Sequence, residues 1–283
     1  MSAQDHGPRT LEARRDELAL RGTLAGAGAP IVLLHGLTAT RDSVVHGSRF
    51  LARAGFTSVL YDARGHGESD PAPAGTYSYS ELGHDLAEVL VALQPHERPV
   101  VGGHSMGAHT ALTYALDHAD RLAGIVLIGP AYAGVPADPN AVETWLRLAD
   151  GLDEGGVDGF LDAYDQDLDA EWRDTLLRIA RERLQLHAHP AAVAQALREI
   201  PASAPFESLD ELDSLELPAL VVASRDQADP AHPHAIAETY AERLPNARLI
   251  SEAEGDSPLA WQGGRLSREI AAFCEEPSVR ERR

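Results

Sequence analysis

Six short apolar runs, most of them closed by a polar loop and followed by a helical pattern, restrict this chain to few folds. They read PIVLLHG from Pro30, TSVLY from Thr57, PVVGG from Pro99, GIVLIG from Gly124, PALVVA from Pro218 and ARLISEA from Ala247. Runs this uniformly apolar are covered on both faces, as parallel strands are when helices pack above and below them. Between them lie amphipathic patterns such as YSELGHDLAEVLVALQ, which sets Leu82, Leu86, Val89, Leu90 and Leu93 on one face. Two earlier segments, LEARRDELAL and RGTLAG, read as an antiparallel opening pair. The alternation predicts an α/β fold with a doubly wound, mostly parallel central sheet.

The alternation breaks once. From residue 135 to 216 only helical patterns occur, among them AVETWLRLADGL, EWRDTLLRIARERL and AAVAQALREI. The chain therefore divides into a core, residues 1–134 and 217–283, and a helical insertion, residues 135–216. An insertion at the carboxyl end of a parallel strand lies above the crevice where such sheets bind ligands, so it is expected to be a cap. Its Trp145, Leu146, Tyr164, Trp172 and Leu176 repeat at helical spacing, as packed core does, and predict a moderately apolar small-molecule substrate.

Composition removes other classes of function. A net charge of −20 disfavours nucleic acid and anionic membrane as partners, since both require basic surface. The acidic cap likewise argues against a highly anionic substrate. No lysine occurs, which excludes a lysine nucleophile or Schiff base. Cys274 is the single cysteine, and no cluster with metal-ligand spacing is visible, so no metal is expected. No dinucleotide fingerprint is present either, and no cofactor is expected. The first residues lack the apolar stretch of a secretory signal, and no run reaches the roughly 20 apolar residues of a membrane span. A cytoplasmic location is the expectation; oligomeric state leaves no mark on the sequence.

The chemistry concentrates at Gly103-His104-Ser105-Met106-Gly107, between the third apolar run and a helix. Small residues flank a serine on a sharp strand-to-helix turn, and the helix start directs free N–H groups toward it. His35-Gly36-Leu37-Thr38 follows the first run, which predicts an oxyanion hole from the amides of Leu37 and Met106. Asp62-Ala63-Arg64-Gly65-His66-Gly67-Glu68-Ser69 follows the second. With H-G-L-T, D-x-R-G-H-G-x-S, G-H-S-M-G and a cap in this order, the chain resembles the α/β-hydrolase superfamily over essentially its whole length. The resemblance implies Ser105 as nucleophile, then an acid after a later strand, then a histidine. The acid loop offers Asp226 and Asp229; Asp229 is preferred because Pro233, four residues on, starts the following helix.

At the histidine position the chain departs from the pattern. It reads Gly255-Asp256-Ser257-Pro258, and the last histidine anywhere is His234. Asp256 thus takes the place of the base, although an ordinary aspartate is about 4 kcal/mol short in proton-transfer driving force at neutral pH. Pairing with Asp229 would raise one carboxyl's pKa through like-charge repulsion. Other groups that could serve are His46, after the oxyanion loop, and His232, in the acid loop close to a helix start. His35, His66 and His104 read as structural. Three functions fit: a serine hydrolase with an atypical base acting on a small carboxylic ester, lactone or thioester; a lyase, dehydratase or cyclase; or a ligand-binding protein without turnover. The first is preferred.

Overall fold

Every residue of the strand at Pro30–Leu34 is buried, with Ile31 and Leu33 packed into one helical layer and Val32 and Leu34 into the other. This two-sided burial is what the uniform apolar runs encode. The computed structural model describes residues 7–135, 138–225 and 229–283. Its eight strands are β1 (Arg9–Arg15), β2 (Leu18–Gly26), β3 (Pro30–Leu34), β4 (Thr57–Tyr61), β5 (Val100–His104), β6 (Gly124–Ile128), β7 (Ala219–Val222) and β8 (Ala247–Ile250). They form one sheet in the order β1-β2-β4-β3-β5-β6-β7-β8. The opening strands pair antiparallel, β1 with β2 and β2 with β4; every later pairing is parallel.

The helices are α1 (Phe50–Arg53), α2 (Tyr79–Leu93), α3 (Met106–His118), α4 (Pro139–Tyr164), α5 (Arg173–Leu184), α6 (Pro190–Glu199), α7 (His234–Arg243), α8 (Gly263–Cys274) and α9 (Pro277–Arg280). Helices α2, α3 and α7 cover one sheet face, through Leu86, Ala111 and Tyr240 among others. Helices α1, α8 and α9 cover the other through Leu51, Ile270 and Val279. Helix α2 shows how locally this is written. The Ser78 hydroxyl caps it by accepting from the Glu81 amide at 3.3 Å, and Leu82, Leu86, Val89 and Leu90 form its buried face. Among the described residues, no helix is long and apolar enough to cross a membrane.

Helices α4, α5 and α6 lie between β6 and β7 and pack a separate core from Leu148, Leu152, Phe160, Leu184, Val193 and Leu197. His187 fastens this cap to the sheet loops. Its Nδ1 accepts from the Gly67 amide at 2.8 Å, so the proton is on Nε2, which donates to the Thr38 carbonyl at 3.0 Å. The Ala188 amide adds a bond to the Gly67 carbonyl at 2.8 Å.

Close backbone packing beneath the elbow explains two of its glycines. A Cβ at Gly103 or at Gly107 would lie 2.3 Å from the Leu34 carbonyl oxygen of β3. Gly107→Ala is therefore expected to cost about 1–3 kcal/mol by overpacking, read as a lowered urea midpoint with unchanged m-value.

Candidate active site

Ser105 joins β5 to α3 with φ 52° and ψ −112°, a conformation that costs an L-residue energy and persists only when its surroundings hold it. The Ser105 amide donates to the Ile128 carbonyl at 2.9 Å, and its own carbonyl accepts from the His109 amide at 3.1 Å. Met106 opens α3, and among the described residues neither its amide nor that of Leu37 has an acceptor. A Cβ on Gly36 would lie 3.0 Å from His104 Nδ1 and 3.5 Å from Ser105 Cβ, so the loop carrying Leu37 lies directly against the elbow. Both donors and the hydroxyl thus share one corner of the fold.

The histidine-rich turns beside them are scaffold. His35 Nδ1 donates to the Gly36 carbonyl at 2.8 Å, while its Nε2 accepts from the Ala63 amide at 2.9 Å. His66 is buried and bonds the Arg64 carbonyl through Nδ1 at 2.9 Å. Arg64 is held by both carboxylate oxygens of buried Asp85, each at 2.7 Å. Burial lowers the pKa of both His35 and His66, which keeps them neutral.

The acid loop supplies a different kind of pair. His232 Nδ1 lies 2.8 Å from both Asp229 carboxylate oxygens, and the His232 amide donates to the Asp229 carbonyl at 3.2 Å. That turn, ending at Pro233 before α7, folds His232 back onto the elbow, where its ring packs on His104 with centroids 4.8 Å apart. Burial works to raise the Asp229 carboxyl, but the His232 hydrogen bond and the neighbouring charges outweigh it, and the pKa falls below the usual range. Burial, reinforced by His232, pushes His104 down. Asp226, the other acid expected from the sequence, lies outside the described residues.

The expected carboxyl pair of Asp229 and Asp256 does not form. Asp256 is exposed; its carboxylate faces Arg265 of α8 at 3.6 Å, and its amide closes a turn on the Ala253 carbonyl at 3.0 Å. Charge attraction to α8 and the solvation of a free carboxylate both favour this outward position. His46 lies near the same segment, with Nε2 bonding the Ala260 carbonyl at 3.2 Å and its pKa lowered chiefly by burial.

Two cap residues lie near these loops without having been expected there as functional groups. Tyr164, at the end of α4, packs with Leu37 against the cap core, and Arg183, in the last turn of α5, directly precedes Leu184 of that core. The sequence signal for Arg183 is its register, flanking the stripe of Leu177, Ala180 and Leu184 that packs into the cap core. One further property required the fold. His104, Asp229 and His232 each offer a ligand atom, all within 4.8 Å of one another, a set able to hold a divalent cation. The expectation of no metal-ligand cluster came from spacing along the chain, and this group is assembled from two distant loops.

Known proteins match this chain in sequence and in fold. A family model described as the alpha/beta hydrolase fold matches residues 29–261, which include the oxyanion loop, the elbow and the acid loop. A protein of Caulobacter sp. (strain K31) named as the carbamate hydrolase RutD is 31% identical over 197 residues, 69% of this chain and 71% of its own. A thermophilic esterase from Thermogutta terrifontis superposes with a TM-score of 0.75 at 23% identity, covering 97% of this chain and 98% of that one. The enol-lactonase from Burkholderia xenovorans LB400 gives 0.73 at 23% identity, covering 94% and 100%. The two structures bear on the fold alone. With the family match spanning strands β3 to β8 and the turn at Ser105, the chain belongs to the alpha/beta hydrolase fold family.

Proposed function

We propose that the protein is a serine hydrolase that cleaves a small carboxylic ester, lactone or thioester through Ser105, with His232, oriented by Asp229, as its general base. The observation that carries this reading is the Asp229–His232 pair packed against the residue preceding Ser105. Asp229 accepts the Nδ1 proton and thereby leaves a lone pair on His232 Nε2. That nitrogen takes the Ser105 proton as Oγ attacks the carbonyl carbon, and the resulting oxyanion is held by the Leu37 and Met106 amides. The imidazolium, stabilised by Asp229, returns the proton to the leaving group; water then frees the acyl group by the same steps in reverse. In the resting chain the Ser105 hydroxyl bonds no described residue, so this transfer runs through one water or after a small ring rotation. The activity named for the Caulobacter relative, on a carbamate, is directed at an electrophilic acyl carbon and supports this class.

A fluorophosphonate probe with an aryl acetate assay tests the nucleophile. Labelling and turnover are both expected in the native chain and both lost in Ser105→Ala. Turnover that persists in Ser105→Ala overturns the reading.

A further inference from the structure

Three arginines of α5 have carboxylate partners, and the fourth has none among the described residues. Arg173 pairs with Asp165, Arg178 with Glu182 at 2.9 Å and Arg181 with Asp158 at 2.7 Å. These three are exposed, whereas Arg183, next to the core residue Leu184, is half-buried. In a chain with 44 acidic and 24 basic residues, a half-buried guanidinium without a carboxylate among the described residues is conspicuous. Desolvating a guanidinium costs stability unless something pairs with it.

Its position is well defined. The next residue, Leu184, is buried in the cap core, against which Leu37 and Tyr164 also pack. Three residues further on, His187 bonds the oxyanion-loop carbonyl of Thr38. The end of α5 is thereby anchored beside the donors proposed to hold the oxyanion. The charge of Arg183 also bears on His104, His46, Tyr164 and Asp229, which come from four different segments.

We propose that Arg183 is the anion-recognition residue of this site, binding a free carboxylate carried by the substrate, so that the preferred substrates are esters or lactones of small acid-bearing molecules. This deepens the reading of Ser105 as a hydrolytic nucleophile and rests on it for the words ester and lactone. A guanidinium presents two parallel N–H donors that match a carboxylate, and the strength of charge-assisted bonds rises where water is excluded. The net charge of −20 does not oppose this. Surface carboxylates more than about 8–10 Å away are screened by salt, whereas a half-buried guanidinium acts at contact distance. The site therefore favours an anion locally although the molecule as a whole repels one.

Two p-nitrophenyl esters of similar length, the neutral butyrate and the anionic hydrogen glutarate, provide the test. The native chain is expected to prefer the glutarate in kcat/KM, and Arg183→Met to reduce that preference about 10- to 100-fold. Arg183→Lys, which keeps the charge without the fork, should lose less. An unchanged preference in Arg183→Met, with melting temperature preserved, overturns the proposal. Calorimetry with free glutarate separates the two layers of the argument. Binding to Ser105→Ala that weakens at least tenfold in Ser105→Ala/Arg183→Met supports anion recognition even if neither ester is hydrolysed. Equal binding by the two overturns it, whatever the ester assay shows.

Discussion

His232→Gln lowers kcat for an aryl ester by about 10²- to 10⁴-fold, the range that general-base catalysis contributes, while KM changes little. Glutamine keeps a side chain that can hydrogen-bond Asp229 but provides no group that gains and returns a proton near neutral pH. Asp229→Asn should have a comparable effect, because an amide can donate where His232 Nδ1 must donate, which turns the ring to the wrong tautomer. Asp256→Asn is expected to remain within about threefold of the native rate, as suits an exposed carboxylate whose partner is Arg265. Steady-state kinetics on the three variants decides the matter. If Asp256→Asn loses as much as His232→Gln, the base belongs to the last loop and the acid-loop pair is structural.

Between pH 7 and pH 5 the fold is expected to lose about 4 kcal/mol of stability, about 2 kcal/mol from each of two buried histidines. Burial pushes His109 down to about 3, and His187 down to about 4, with the Thr38 carbonyl acting in the opposite direction. Both values lie below the unfolded value near 6.5, so the unfolded chain binds more protons throughout the interval between them. Stability therefore rises with pH in this window and is lost as pH falls below about 6.5. The bonding explains the resistance to protonation: His109 Nε2 accepts from the Ala131 and Tyr132 amides, each at 3.1 Å, and His187 Nδ1 accepts from Gly67. Protonating either nitrogen sets donor against donor. A loss of this size is a large part of a typical domain's 5–15 kcal/mol. Urea titrations at the two pH values measure it directly, and equal unfolding free energies would contradict the assignment. Because His187 fastens the cap, the same acidification should loosen the segment bearing Arg183 first.

Much of this was legible from residues close together in the chain. The apolar runs specified strands covered on both faces, and the patterns around Leu82 and Leu86 specified α2 with its capping serine. The elbow announced itself because its glycines, its serine and the helix after it are contiguous. The surroundings of His232 were a different matter. His232 read as a residue too close to a helix start, and only the turn through Asp229 shows its ring folded back onto His104. Asp256 stands at the expected point in the order of elements, yet its loop directs it toward Arg265. Arg183 belongs to no motif in the chain, and only its place beside the packed residues Ala180 and Leu184 marks it.

By itself, then, the sequence determined the α/β sheet, the cap inserted after β6, the serine elbow, and a final loop that carries no histidine. These follow from patterns with short periods and from turns whose steric demands fall on adjacent residues. Only the tertiary structure decided that His232, paired with Asp229, packs on the residue before Ser105. That depends on loop paths and on which distant segments share one desolvated corner, where burial and pairing set the energies. Such juxtapositions, like that of His104 with His232 or of Arg183 with Asp229, have no local signature in the chain.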